Sequence, residues 1–427
     1  MISLLLFGSF IALLAVSVPV AISLGLASAV ALLYSGKVSS SYIAQGLVTS
    51  IDSFPLMAVP FFILAGDLMG QGGLSRRLLN VANVFFGRYT GGLAIIAVVT
   101  CLFFAAISGS GPATVAAIGG LLLPAMAKEG YDKGYSVGLI ASAGSIGIII
   151  PPSIPMIIYA VSANVSITQM FLAGVVPGFL IGLALILVAY LKARKEKYVG
   201  NTERFSAAQK WQAIWDAKWA LLVPVIILGG IYGGVFTPTE AAAIGVIYGF
   251  VVGLFIHKEL KLRDLYKVIA ESALTSATVI VIVGTATIFG RVLAIERIPF
   301  MIADYIVSLT DNPILILLLI NVLLMFVGMF METLAAIIIL VPILLPVVVA
   351  VGVDPVHFGI VMIVNLAVGM VTPPVGVNLF VGARVGETTL EKASVGAIPF
   401  ILIMIVVLLV ITYIPAISLF PLKLMGY

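Results

Sequence analysis

Long apolar runs separated by short polar or charged stretches set the pattern of this chain from its first residue. Met1 to Val18 and Pro19 to Tyr34 are two such runs, with Pro19 at the turn between them. An apolar run of about 20 residues matches the hydrocarbon thickness of a bilayer, so runs of this kind predict transmembrane helices. Ser39 to Ser50 is more polar and predicts a helix lying at the interface. Leu56 to Met69 is the next span, and the amphipathic segment Leu74 to Phe86, with Arg76 and Arg77, follows it. Further runs cover about 93–127, 135–161 and Phe171 to Leu191, the last ending in the charged stretch Lys192 to Lys197. A polar linker, 201–218, then divides a first half, 1–200, from a second, 219–427.

Two of these runs are interrupted. Ser108-Gly109-Ser110-Gly111-Pro112 sits at the centre of the run 93–127. Proline lacks the backbone donor and glycine favours non-helical dihedrals, so the helix breaks there. Non-helical backbone at membrane depth survives only when buried in protein or lining a cavity. The stretch therefore predicts the tip of a re-entrant hairpin, entering and leaving on one side. The run 135–161 is broken in turn by Pro151-Pro152-Ser153-Ile154-Pro155.

The second half repeats the first. A shift of 222 positions carries Pro124 to Pro346, Gly147 to Gly369, and Pro151-Pro152 to Pro373-Pro374. It sets Ser110 opposite Glu332, inside a second interrupted run at about 314–350, followed by a broken helix at about 356–382 and a final span. Each half is thus expected to hold scaffold spans, an arm helix, a hairpin and a broken helix. The fold class expected is an all-α polytopic membrane protein with inverted-topology repeats, two re-entrant helical hairpins and two broken transmembrane helices.

Composition agrees with that class. The chain has 427 residues, 62% hydrophobic and only 9% charged, with a mean hydropathy of +1.26. No soluble domain has this balance. Continuous runs without alternation exclude a transmembrane β-barrel. Met1 to Tyr34 lacks a basic start and is too long for a signal-peptide core, so it reads as two spans rather than a cleaved leader. Cys101, the single cysteine, reads as a small core side chain.

Charge adds orientation. The net +4 does not point to nucleic acid, because the basic residues fall at the ends of spans. With Met1 outside and each hairpin returning to its own side, 18 Lys and Arg fall inside and four outside: Lys37, Arg291, Arg297 and Lys423. That is a positive-inside split. It places both termini on the outer, periplasmic side and makes the two halves opposite in topology.

Paired interrupted segments in inverted repeats point to a secondary transporter with its site near the midplane. A break frees carbonyls to replace the hydration shell of a cation, while half-helix N-termini offer N–H groups to an anion. The first break pair offers Ser108, Gly109, Ser110, Ser142, Gly144, Ser145, Gly147 and Pro151; the second offers Gly328, Met331, Glu332, Thr333, Gly369, Thr372 and Pro373. Oxygen ligands without Cys or His suit a hard cation such as Na⁺ rather than a transition metal. For any single serine, close helix packing is the simpler reading; for the two matched regions together it is not. Glu332, a carboxylate in a membrane segment, reads equally as an ion-site residue and as the helix cap closing its hairpin. Arg291 could hold a substrate carboxylate, snorkel outward, or pair with Glu296 or Asp304, with the structural readings slightly favoured. Asp67 and Glu240 read as structural, and His257 and His357 carry no ligand spacing. Trp211, Trp215 and Trp219 read as an interfacial anchor. Neither a phosphate-binding Gly-rich loop nor a nucleophile triad is present, so no enzyme is expected.

Five motifs carry a family resemblance: Ser108-Gly-Ser-Gly-Pro-Ala113, Ile150-Pro-Pro-Ser-Ile-Pro155, Phe236-Thr-Pro-Thr-Glu-Ala241, Met331-Glu-Thr333 and Thr372-Pro-Pro-Val-Gly376. Over essentially its whole length the chain resembles the large membrane subunit of a tripartite ATP-independent periplasmic (TRAP) transporter, with a general likeness to the sialic-acid branch. The resemblance implies a sodium-coupled importer of a carboxylated organic solute in the bacterial inner membrane, with Na⁺ as coupling ion and no other cofactor. It implies an elevator movement of a domain carrying both hairpins, a separate small four-helix membrane subunit, and a periplasmic substrate-binding protein. Carried over by position, one sodium would lie at Ser108, Gly109 and Ser110 with Gly144, Gly147 and Pro151. The other would lie at Gly328, Met331, Glu332 and Thr333 with Gly369, Thr372 and Pro373. Substrate would lie between them, near Ser110, Ser145, Ser153 and Arg291. Sialic acid comes first among the expected substrates and C4-dicarboxylates next. The alternatives are an ion or organic-anion channel, and a sodium-coupled carboxylate symporter without a binding protein.

Overall fold

A computed structural model describes residues 2–36, 39–200, 205–302, 310 and 312–427. Lys37, Arg204 and Asp304 lie outside the described residues, so the pairing of Arg291 with Asp304 does too. The first half runs α1 (Ile2–Ala15), α2 (Val20–Ser35), α3 (Ser40–Ile51), α4 (Ala58–Gln71), α5 (Leu74–Phe86), α6 (Gly92–Ser108), α7 (Gly111–Lys128), α8 (Lys133–Gly144), α9 (Ile154–Ala163) and α10 (Ile167–Lys195). Helix α11 (Ala207–Asp216) occupies most of the polar linker. The second half follows with α12 (Lys218–Tyr232), α13 (Pro238–Val251), α14 (Leu262–Ile295), α15 (Pro313–Phe330), α16 (Thr333–Ala350), α17 (Pro355–Gly369), α18 (Val377–Val385), α19 (Leu390–Tyr413) and α20 (Ala416–Leu424).

Every regular element among the described residues is helical, and eight helices are long and apolar enough to cross a membrane. The chain is an all-α polytopic membrane protein. Its surface shows the solvent it is made for. Along α10, Phe179, Leu183, Leu187 and Leu191 are exposed at a four-residue spacing, while Ile181, Leu185, Ala189 and Ala193 are buried. A continuous apolar stripe facing outward suits lipid, not water.

The two halves use the same hairpin design. Helices α6 and α7 are separated by Gly109-Ser110, and α15 and α16 by Met331-Glu332. After each hairpin comes a broken helix: α8 and α9 around residues 145–153, and α17 and α18 around 370–376. The halves differ earlier. In the first, Pro55 follows α3 closely; it lacks a donor and crowds the carbonyl of Ile51, so a short turn, Phe54–Met57, separates α3 from α4. The matching stretch around Leu274 to Ala277 has no proline. Arm and span therefore run together as the 34-residue α14, about 51 Å long, in place of the separate arm helix expected.

Hairpins and broken helices form one packed body. Asn378 of α18 donates its side-chain amide to the carbonyl of Ala141 in α8 at 3.2 Å, tying second half to first. Tyr159 of α9 donates to the carbonyl of Pro355 at 2.6 Å. Helices α4 and α14 border this body and are joined by the bond from Ser272 to the Asp67 carboxylate, 2.5 Å.

Candidate functional site

The first hairpin tip folds as its residues dictate. Gly109 takes φ +59° at the end of α6, and its amide donates to Ala105. A β-carbon there would meet the Pro152 carbonyl oxygen at 2.9 Å, so glycine is needed for both conformation and space. Ser110 caps α7, its hydroxyl accepting from the Ala113 amide at 3.5 Å. Behind this cap three oxygens gather: the Ser108 hydroxyl lies 2.7 Å from that of Thr114 and 3.3 Å from the Ser110 carbonyl, which Thr114 also reaches at 2.8 Å. The turn Ser145–Ile148 covers them. A β-carbon on Gly147 would sit 2.6 Å from the Ser110 carbonyl oxygen and 2.7 Å from Thr114 Oγ1. Gly144 packs on Val115, and the Ile154 amide donates to the Gly109 carbonyl at 3.4 Å. Pro151 is buried in the same break.

The second tip is built in parallel. Glu332 caps α16, accepting from the amides of Leu334 at 2.9 Å and Ala335 at 3.2 Å. Thr333 is buried, and its hydroxyl has no hydrogen-bond partner among the described residues. The Met331 amide donates to Val327, and the Thr372 hydroxyl to Val368. Gly328 and Gly369 bring the two backbones together: a β-carbon on Gly369 would lie 2.6 Å from the Gly328 carbonyl carbon. Pro373 is half-buried beyond that contact.

Between the tips lies a cavity of about 410 Å³. Four helices turn their N-termini to it: α7 through Gly111 and Pro112, α9 through Ile154 and Pro155, α16 through Thr333 and Leu334, and α18 through Val377. Its opposite wall comes from Ile63 of α4 and from Thr275, Thr278, Val279 and Ile282 of α14. Ser110, Glu332, Thr333, Thr275 and Thr278 supply the polar side chains in an otherwise apolar lining. Helix N-termini carry partial positive charge, about half a unit each, so these ends favour an anion, while the Glu332 carboxylate in the same lining opposes one.

Of the residues expected near substrate, only Ser110 lines this cavity. Ser145 and Ser153 are buried, and their hydroxyls donate to the carbonyls of Ser142 at 2.7 Å and Ile148 at 2.6 Å. Ser142 donates to Gly138. Arg291 lies elsewhere, in a cavity of about 330 Å³ with Ser50, Ser162 and Thr287, its guanidinium 5.8 Å from the centre of the Tyr42 ring. A small apolar pocket of about 70 Å³ borders both, sharing Val279 with the central cavity and Leu56, Ile158 and Val283 with the cavity at Arg291. Toward the basic end of α14 the central cavity instead shares Ser110 and Thr275 with a cavity of about 500 Å³ that reaches Asp67 and Gln71.

Sequence reasoning passed over several polar groups here. Thr114 had a signal, standing one helical turn after Ser110, where a threonine can bond the carbonyl four residues back. Thr275 and Thr278 share a helix face, but nothing along the chain says which face meets the cavity. Asn365, buried in α17, donates to the side-chain oxygen of Asn321 at 2.8 Å. A buried amide in a membrane helix was signal enough to name it.

Comparison with known proteins fits this picture. Residues 7–417 match the family model described as the tripartite ATP-independent periplasmic transporter, DctM component. The chain is 54% identical over 415 residues to the isethionate TRAP transporter permease protein DctMQ of Oleidesulfovibrio alaskensis, covering 97% of this chain and 65% of that relative. It is 40% identical to the C4-dicarboxylate large permease DctM of Rhodobacter capsulatus, over 99% of both chains. It is 38% identical to the sialic acid large permease SiaM of Vibrio cholerae, over 98% of both. Among solved structures, the Alcanivorax borkumensis YdaH transporter aligns with a TM-score of 0.59 at 16% identity, covering 87% of each chain. Neisseria gonorrhoeae MtrF aligns at 0.62 and 13% identity, covering 87% of this chain and 83% of that one. At such identities these two speak for the fold alone. The chain belongs to the TRAP transporter family, as a large permease of the DctM type.

Proposed function

We propose that this permease imports a compact organic anion by sodium-coupled secondary transport, receiving it from a periplasmic binding protein and working with a small four-helix membrane subunit. The observation that carries this reading is the convergence of four helix N-termini and the Glu332 carboxylate on one cavity between the two hairpin tips. The helix ends attract an anion, while Glu332 would repel it. A cation held by oxygens beside the tips removes that conflict, so ion and anion bind better together than apart. That is the thermodynamic basis of symport. The Ser108, Thr114 and Ser110 oxygens supply one set of ligands, with the region from Gly328 to Thr333 and Gly369 to Pro373 as the second. In this reading the halves are inverted in the membrane, and the hairpin body slides as an elevator against α4 and α14.

The substrate preference follows the relatives. The protein named for isethionate is 54% identical, against 38% for the one named for sialic acid. Those named for C4-dicarboxylates reach 43%. A small sulfonate or dicarboxylate is therefore placed ahead of sialic acid. The apolar side chains between the central cavity and Arg291 speak against a channel, which needs a continuous polar path. With the central cavity open instead toward the basic end of α14, the arrangement reads as inward-facing.

The deciding experiment is uptake of isethionate, succinate and sialic acid into proteoliposomes holding this chain and its small partner. Each is run with and without an inward sodium gradient and the binding protein. Concentrative uptake of one small anion, requiring both, is expected. Uptake indifferent to sodium would overturn the coupling, and uptake of sialic acid alone would overturn the substrate preference.

A further inference from the structure

We infer that the cavity around Arg291 is a separate docking site for the organic anion, filled before the anion reaches the central cavity. Arg291 stands nine residues beyond Ile282, the nearest residue of α14 on the central cavity, so about 14 Å farther along the helix. The two cavities share no lining residue. The small pocket bordering both is lined only by apolar side chains and shares Val279 with one cavity and Leu56, Ile158 and Val283 with the other. A charged solute therefore meets polar groups in two separate cavities, with apolar side chains between them.

The outer chamber has the chemistry of an anion site. A guanidinium presents a planar fork of donors that matches carboxylate and sulfonate oxygens. Ser50, Ser162 and Thr287 share the chamber, and a volume of about 330 Å³ is ample for a small anion. A snorkelling arginine would leave the cavity for water; this one lines it and packs near Tyr42. Its side of the membrane follows from charge. Lys261, Arg263 and Lys267 cluster at the far end of α14, so the positive-inside rule puts Arg291 on the outer side.

The chamber is also placed to change during transport. One wall is Arg291 and Thr287 of α14; the other is Ser162, which follows Ile158 in α9, with Ile338 and Pro342 of α16. The second wall belongs to the hairpin body. Movement of that body would remake the chamber and part the apolar side chains between the two cavities, handing the anion from Arg291 to the helix N-termini. The inference rests on the organic-anion reading of the substrate.

Its test needs no transport. In a Ser162→Cys variant, the rate of labelling by anionic sulfonatoethyl methanethiosulfonate is compared with that by the cationic trimethylammonium-ethyl analogue. Cys101 is fully buried and does not compete. The anionic reagent should lose about tenfold of its relative rate when Arg291→Gln is added, a change typical of local electrostatic focusing. An unchanged ratio would overturn the site. Uptake supplies the second readout: Arg291→Gln should raise the KM for the anion from outside about tenfold with Vmax within twofold, and Arg291→Lys should recover part of it. A fall in Vmax at constant KM would return Arg291 to a structural role. Labelling is measured without sodium and without turnover, so failure of the symport reading would leave this result interpretable.

Discussion

Ser110 and Glu332 stand 222 positions apart in the chain and at the same place in the fold, each capping the second helix of its hairpin and each lining the central cavity. The caps differ in charge. The first half closes its tip with a hydroxyl and the second with a carboxylate, so two similarly placed caps give the cavity an asymmetric lining.

Glu332→Gln keeps an oxygen to accept from Leu334 and Ala335 but removes the charge. It should leave thermal stability nearly unchanged while abolishing most sodium-stimulated uptake. Glu332→Ala loses the cap as well and should cost a further 1 kcal/mol or so of stability, in the range of measured N-cap deletions. Melting curves in detergent alongside uptake separate the two; full uptake in Glu332→Gln would reduce Glu332 to a cap.

Ser108→Ala and Thr114→Val each take one oxygen from the buried cluster behind Ser110. The break itself remains, so membrane insertion should be normal. Half-saturation for sodium should rise about tenfold, the equivalent of roughly 1.4 kcal/mol in ligand binding. Sodium titration of uptake reads this directly, and an unshifted curve in both variants would remove the cation from this cluster.

Gly369→Ala should be damaging because its methyl group would press on Gly328 backbone that has no room to yield. A cost of about 1–3 kcal/mol is expected from overpacking. Gly120→Ala is the control, since nothing lies within 4 Å of a β-carbon there. Equal melting temperatures for the two would show that α15 and α17 separate more readily than their packing suggests.

His257, outside the spans at the end of the helical stretch after α13, gives a pH dependence. Its Nδ1 lies 2.8 Å from the Gly72 carbonyl and so carries the proton, while Nε2 is buried without a partner among the described residues. Burial is the main cause holding its pKa below the usual 6.5; the Gly72 bond raises it, Arg77 lowers it and Glu259 raises it. A histidine depressed in the folded state stabilises above its unfolded pKa, and that stability is lost as pH falls through the folded value. The melting temperature should therefore drop on going from about pH 7.5 to about pH 5, and drop less in His257→Gln. Parallel losses in both proteins would assign the effect to other groups.

The order of elements was legible along the chain because bilayer spans demand long apolar runs, and any interruption stands out against them. The amphipathic segment Leu74 to Phe86 coincides with α5, and the break at Ser108 to Pro112 coincides with the gap between α6 and α7. Proline and glycine dictated these local breaks, and the serine and glutamate beside them dictated the caps. Which side chains meet across the site was decided by tertiary structure. Ser145 and Ser153 look like ligands in sequence, yet their hydroxyls bond nearby carbonyls inside the body. Thr275 and Thr278 look like ordinary helix residues, yet the packing of α14 turns them to the cavity. Arg291 is separated from that cavity by apolar side chains from three distant parts of the chain. Local chemistry can specify where a helix starts and stops; the face it presents depends on every helix packed against it.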